Sequence, residues 1–241
     1  MRMKSSNPAF GKKMMDKIAL DSTSEAMTIN GAINKTMVLG ALVLASAVWS
    51  WNNPATWTLM VGAIGGFILA LITIFSPKSS PITAPLYALL EGLFLGGISL
   101  MMEAQYGGIV FQAVTSTIGV LFLMLFLYRS GMVQVNQKFR TGMMAAIGGV
   151  FFMYMINFVM SFFGAAFYTW EDTSMMAIGI NLVVVGIASF SLLLDFDDIT
   201  KAANMRAPKY MEWYGAFGLM VTLIWLYLEI LKLLSRLSSN D

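Results

Sequence analysis

The sequence predicts an all-α integral membrane protein of seven transmembrane helices, on three observations. Hydrophobic residues fill 58% of the 241 positions and charged residues only 12%, far from what a soluble domain of this length needs for its core. The apolar residues gather into seven stretches, each about the ~20 residues that cross ~30 Å of hydrocarbon. With the N-terminus placed inside, thirteen of the fifteen Lys and Arg residues fall in the connectors of that same side, which is the charge asymmetry that sets membrane topology.

Taken in order, residues 1–33 are polar and mixed in charge, without an apolar core or a small-residue cleavage site. They read as a cytoplasmic N-terminal segment and not as a signal peptide. Residues 34–241 read as the seven-helix transmembrane domain. Its spans are predicted at 36–52, 55–75, 82–104, 107–128, 142–164, 174–197 and 213–237. Turn formers separate neighbours: Asn52-Asn53-Pro54, Ser76-Pro77 with Pro81 and Pro85, and Gly107-Gly108. Connectors this short predict antiparallel hairpins in one bundle. Gly62 with Gly66 and Gly92 with Gly96 have the small-xxx-small spacing that lets membrane helices approach closely. No internal repeat marks the chain as an inverted-repeat transporter.

The inventory excludes much chemistry. There is no Cys and no His, which removes thiol nucleophiles, imidazole bases and the usual zinc sites. No phosphate loop, metalloprotease helix or nucleophile motif appears, so no enzyme activity and no resident cofactor are expected. The net charge of +2 is small and its cations are dispersed, which argues against nucleic-acid binding. The expected partners are the lipid bilayer and small ions.

Three carboxylates stand at or near membrane depth: Glu91, Asp195 and Glu229. From the helical rise, Glu91 lies roughly 13 Å deep, Glu229 roughly 18 Å, and Asn157 and Asn181 roughly 20 Å. Four polar groups from four helices are therefore expected to face inward in one layer, since a carboxylate at the bilayer centre is disfavoured by about 2.5–3.5 kcal/mol. Asn157 and Asn181 also fit simple interhelical hydrogen bonding. Two carboxyls held together in low dielectric cannot both ionise easily, so Glu91 with Glu229 would form a proton-sensitive switch or a cation site. A hard cation such as calcium, bound transiently, suits oxygen donors of this kind. A second cluster, Leu194-Asp195-Phe196-Asp197-Asp198-Ile199, closes the sixth span. Asp195 is its expected buried member, and Asp197 and Asp198 read as a solvated helix terminus. Lys232 and Arg236 are the two cations outside the inner connectors. They either snorkel to the outer interface or meet protein carboxylates inside the bundle.

The order of several short motifs resembles the bacterial branch of the transmembrane Bax inhibitor motif family. They are Ser6-Asn7-Pro8-Ala9-Phe10, Met27-Thr28-Ile29-Asn30-Gly31, Tyr87 to Gly96, the Leu194 to Ile199 cluster, and Leu226-Tyr227-Leu228-Glu229-Ile230-Leu231. That resemblance implies six helices wrapped around a central C-terminal helix. It also implies a proton-sensitive calcium leak governed by a carboxylate pair between the last two helices. Carried over by motif, Asp195 is one partner and Glu229 the other. In an alternative register Thr222 stands opposite Asp195, and Glu229, two turns deeper, has Glu91 as its neighbour. The function expected is thus a passive cation leak in a bacterial cytoplasmic (inner) membrane, gated by Asp195, Glu229 and Glu91. Asn157, Asn181, Asp197, Asp198 and Thr222 are the supporting polar groups. The rival is a non-conducting regulator that binds a membrane protease or another membrane-protein partner through its N-terminal segment.

Overall fold

In the computed structural model, residues 26–165, 168–169 and 172–239 are described. The Ser6 to Phe10 motif, the basic residues before residue 26, and Trp170 lie outside them. Among the described residues seven α-helices follow one another: α1 (Ile29–Asn52), α2 (Thr56–Phe75), α3 (Ser80–Gln105), α4 (Ile109–Arg129), α5 (Gln137–Ser161), α6 (Met175–Asn204) and α7 (Met211–Ser238). A single 3-10 turn, Pro77–Ser79, joins α2 to α3. All seven are long and apolar enough to span a membrane. The chain is a multi-pass membrane protein in contact with the bilayer, and Phe67, Phe111, Phe122, Phe126, Phe151 and Phe152 expose their rings on its outer surface.

The helix ends explain where the predicted boundaries shift. Thr28 caps α1 by accepting from Gly31 N at 2.9 Å, so the helix begins at Ile29, ahead of the apolar run. Asn136 accepts from Phe139 N at 2.9 Å and starts α5 at Gln137. Ser174 caps α6. This helix runs to Asn204, past residue 197, because Asp197 and Lys201 support each other one turn apart at 2.6 Å. Gly108, at φ 84°, makes the left-handed turn into α4, and the Glu103 carboxylate accepts from Gly108 N (2.6 Å) and Val110 N (3.0 Å) at that helix start.

The C-terminal helix is the centre of the bundle. Most of α7 is buried, whereas α5 buries almost nothing, and α7 packs against α1, α3, α4 and α6. α2 stands behind α3, and α5 lies chiefly against α6. Leu192, Leu193, Phe217, Leu226 and Leu231 form the core of this arrangement. A clasp ties its two ends of sequence together: Thr28 N and Oγ1 donate to Glu212 Oε1 at 3.0 and 3.1 Å, and Met27 N donates to Ala207 O at 2.8 Å.

The glycine pairs act as expected of packing residues. A Cβ on Gly62 would stand 2.7 Å from Leu90 O and from Phe94 N, so α2 reaches the backbone of α3. Cβ atoms on Gly92 and Gly96 would collide with Val43 O and Ala47 O of α1. Gly96→Ala is expected to force α1 and α3 apart and to destabilise the protein by about 1–3 kcal/mol, read as an earlier thermal transition in detergent; Gly142→Ala, with open space around it, is the neutral control.

Candidate functional site

Asp195 sits on α6 where it crosses α7. Its Oδ2 is buried and has no hydrogen-bond partner. Thr222 of α7 is its side-chain hydrogen-bond neighbour, and a Cβ on Gly218 would lie 4.0 Å from Oδ1. The Thr222 hydroxyl also donates to Gly218 O at 3.3 Å, which keeps it on that face of α7. Among the described residues no Lys or Arg pairs with Asp195; the charge acting on it is Asp198 of its own helix. The register that places Thr222 opposite Asp195 is the one adopted, and the Asp195 to Glu229 pairing is not.

Asp198 is exposed near the end of α6, as expected of a solvated terminus, whereas Asp197 is buried. They lie within α6, and Arg140 of α5 bridges them, at 2.8 Å to Asp197 and in direct contact with Asp198. Asp197 also takes Lys201. The charges here are neutralised in the last turns of a helix that has already left the apolar zone.

Glu229 has the opposite environment from Asp195. Its side chain is buried and every lone-pair direction is used: Tyr154 Oη donates to Oε1 at 2.7 Å, Asn181 Nδ2 to Oε2 at 2.9 Å, and Lys232 Nζ to both oxygens at 3.2 and 3.4 Å. Asn181 also donates to the Glu229 carbonyl at 3.2 Å. Lys232 lies over the rings of Tyr154 and Tyr168, at 5.1 and 5.6 Å. One turn further on, Arg236, 1% exposed, donates to Tyr168 Oη, Ala177 O and Thr169 O at 2.8–2.9 Å. It thereby fastens the segment between α5 and α6 onto α7. In that segment Asp172 accepts from Ser174 N at 3.0 Å; this backbone bond, with a smaller effect from Arg236, holds its carboxyl below the usual carboxylate range. Neither Lys232 nor Arg236 snorkels; both turn inward to protein partners.

Two of the four polar groups expected in one layer therefore meet. Asn181 joins Glu229. Asn157 instead exchanges two bonds with the backbone of Tyr168, at 2.7 and 2.9 Å, one turn from Tyr154 on the same face of α5. Glu91 packs into the space left by Gly66 of α2, where a Cβ would stand 2.7 Å from its Oε1. It faces α2, and the Glu229 carboxylate faces α5 and α6, so no Glu91–Glu229 pair forms. Asn181 and Asp195 are fourteen residues apart on α6, about 21 Å along the axis. Asp195 and Glu229 thus belong to two separate sites and not one. Among the described residues no group of three acidic side chains forms a metal centre. Tyr154, Tyr168, Arg140 and Glu212 complete these networks and were not anticipated. The spacing of Glu229, Lys232 and Arg236, one helical face at i, i+3 and i+7, is the signal that was legible.

A family model described as Bax inhibitor 1 like matches residues 7–239. No curated protein and no solved structure matches the chain.

Arg236→Ala removes a charged donor from three acceptors and is expected to destabilise the protein by about 3 kcal/mol or more. The melting transition should fall accordingly, and Arg236→Lys, which has no planar fork, should restore only part of it.

Proposed function

The chain belongs to the Bax inhibitor 1-like family, a membership that supports a membrane regulator or channel, and from that premise we propose the narrower function of a proton-sensitive passive cation leak. The proposed ion is calcium and the proposed gate is Asp195. One observation carries the reading: a carboxylate on the central helix crossing has a buried oxygen with no partner and no paired cation among the described residues. Such a group is stable in low dielectric only with a proton or a cation beside it. Protonated, it is neutral, and α6 and α7 close over it. Ionised, it draws in water and a hard cation, whose ligands are carboxylate and water oxygens. Thr222 offers a hydroxyl oxygen at the same point.

The positive loops place the N-terminus in the cytoplasm under this proposal, with Asp195 toward the cytoplasmic half of the bundle. The resemblance of the motifs to bacterial members favours the cytoplasmic membrane of a bacterium. Glu229 is already matched by Lys232 and is not the gate in this scheme, and Glu91 stands outside it beside Gly66.

The test is calcium entry into dye-loaded proteoliposomes between about pH 5 and about pH 8. Flux through the wild type is expected to rise as Asp195 loses its proton. Asp195→Asn should flatten the profile and lower flux at the alkaline end by about tenfold, the factor equivalent to ~1.4 kcal/mol of lost attraction. Folded wild-type protein with no flux above empty vesicles at any pH overturns the leak in favour of a non-conducting regulator.

A further inference from the structure

We infer that the cavity between α1 and α4 is a binding site for one acyl chain of a membrane phospholipid, taken in sideways from the bilayer. α1 and α4 each pack on α3 and α7 but share at most a marginal contact with each other. The gap they leave is a cavity of about 500 Å³, within the ~300–1,000 Å³ of ordinary ligand pockets. Leu44, Val48 and Ile118 line it and are exposed, so it opens onto the surface that already meets lipid. Ser99, Ile224 and Tyr227 belong to its buried floor.

The lining is almost wholly apolar, and its hydroxyl and amide groups already have partners in the protein. Ser99 Oγ and Tyr227 Oη bond each other at 2.6 Å, Thr117 Oγ1 donates to Ala113 O at 2.7 Å, and Asn52 Nδ2 donates to Val48 O at 2.8 Å. Among the described residues no charged side chain lines the cavity. A hydrated ion finds nothing there to replace its water, whereas an apolar cavity of this kind stays dry and takes apolar ligands.

The dimensions select a lipid tail. From Gly40 to Asn52 the cavity follows α1 for twelve residues, ~18 Å along the axis, and one leaflet contributes about half of the ~30 Å of hydrocarbon. A chain lying alongside α1 therefore reaches from the helix end, where Trp51 has the position of an interfacial anchor, to the middle of the membrane. A second copy's helix, about 10–12 Å across, is too wide for this volume over that length. At the deep end stand Gly40 and Met220, the latter two residues before Thr222 on α7. The site does not depend on the leak proposed above.

The experiment is native mass spectrometry of the delipidated protein, with dipalmitoyl phosphatidylethanolamine, dipalmitoyl phosphatidylglycerol and free palmitate as probes. The wild type is expected to retain one phospholipid, with either headgroup alike. Val114→Trp, which fills the cavity from α4, should weaken retention by about tenfold. Leu123→Trp, exposed on α4 and outside the cavity, should leave it unchanged. Gly40→Leu shortens the deep end. Its Cβ would stand in ordinary contact with Met220 Cε at 3.7 Å, so the backbone need not move, and preference should shift from the dipalmitoyl to the dilauroyl lipid. A folded Val114→Trp that retains lipid as the wild type does overturns the inference. So does a Gly40→Leu protein with unchanged chain-length preference, and that comparison decides the matter where Val114→Trp folds poorly. Binding of palmitate without phospholipid overturns the assigned occupant, and a preference for phosphatidylglycerol overturns a site recognised through its chain. A wild type without flux overturns the leak alone, since retention needs no transport.

Discussion

A charge inside a bilayer has no water to turn to, and that constraint arranges every polar side chain of this bundle. Each carboxylate, guanidinium and amide near membrane depth must find a protein partner or remain neutral, because an isolated charge in low dielectric is far too unstable to persist. The C-terminal helix is where most of them find it. α7 is the most enclosed helix, and it carries Glu212, Thr222, Glu229, Lys232 and Arg236 along its length. Helices without such groups, α2 and α4 above all, are free to present apolar faces to lipid.

Two solutions to the same problem lie at different depths. Around Glu229 the carboxylate itself is saturated: an ammonium, a phenol and an amide neutralise and bond it, and Arg236 seals the next turn against the Thr169 and Ala177 carbonyls, while Asn181 Oδ1 and Arg236 Nε keep no partner. Removing one member of such a set leaves another buried and unpaired, which is strongly destabilising. Around Asp195 the solution is incomplete, since one oxygen has nothing to accept from. A carboxylate with no cation beside it can respond to a proton or an ion, and one matched by a cation holds its helices in place.

Close helix approach makes these placements possible. Gly92 and Gly96 bring α3 onto the backbone of α1, and Gly62 and Gly66 bring α2 onto α3, so α1 and α3 pack tightly against α7 with α2 behind α3. Gly66 has a second consequence, because the space it leaves admits the Glu91 side chain between α2 and α3. A residue chosen for packing thereby directs a carboxylate away from the centre.

What the sequence determined by itself was the class of the protein and the roster of its polar groups. Seven apolar stretches and their turn formers need no tertiary information, because span length answers only to bilayer thickness. Asp195, Asn181 and Glu229 stood out for the same reason, being costly at any depth unless they face inward. The pairing of these groups was decided by the tertiary structure alone. Depth arithmetic grouped Glu91 with Glu229, but depth is one coordinate and rotation about the helix axis is another, and Gly66 on a neighbouring helix turned Glu91 aside. The register of α6 against α7, which sets Thr222 and not Glu229 opposite Asp195, arises from how two long helices cross over Leu192, Phe217 and Leu226. Tyr154 and Tyr168 were illegible as partners because sequence does not tell which helix face a tyrosine meets; α5 brings Tyr154, and the α5–α6 connection Tyr168, over Lys232.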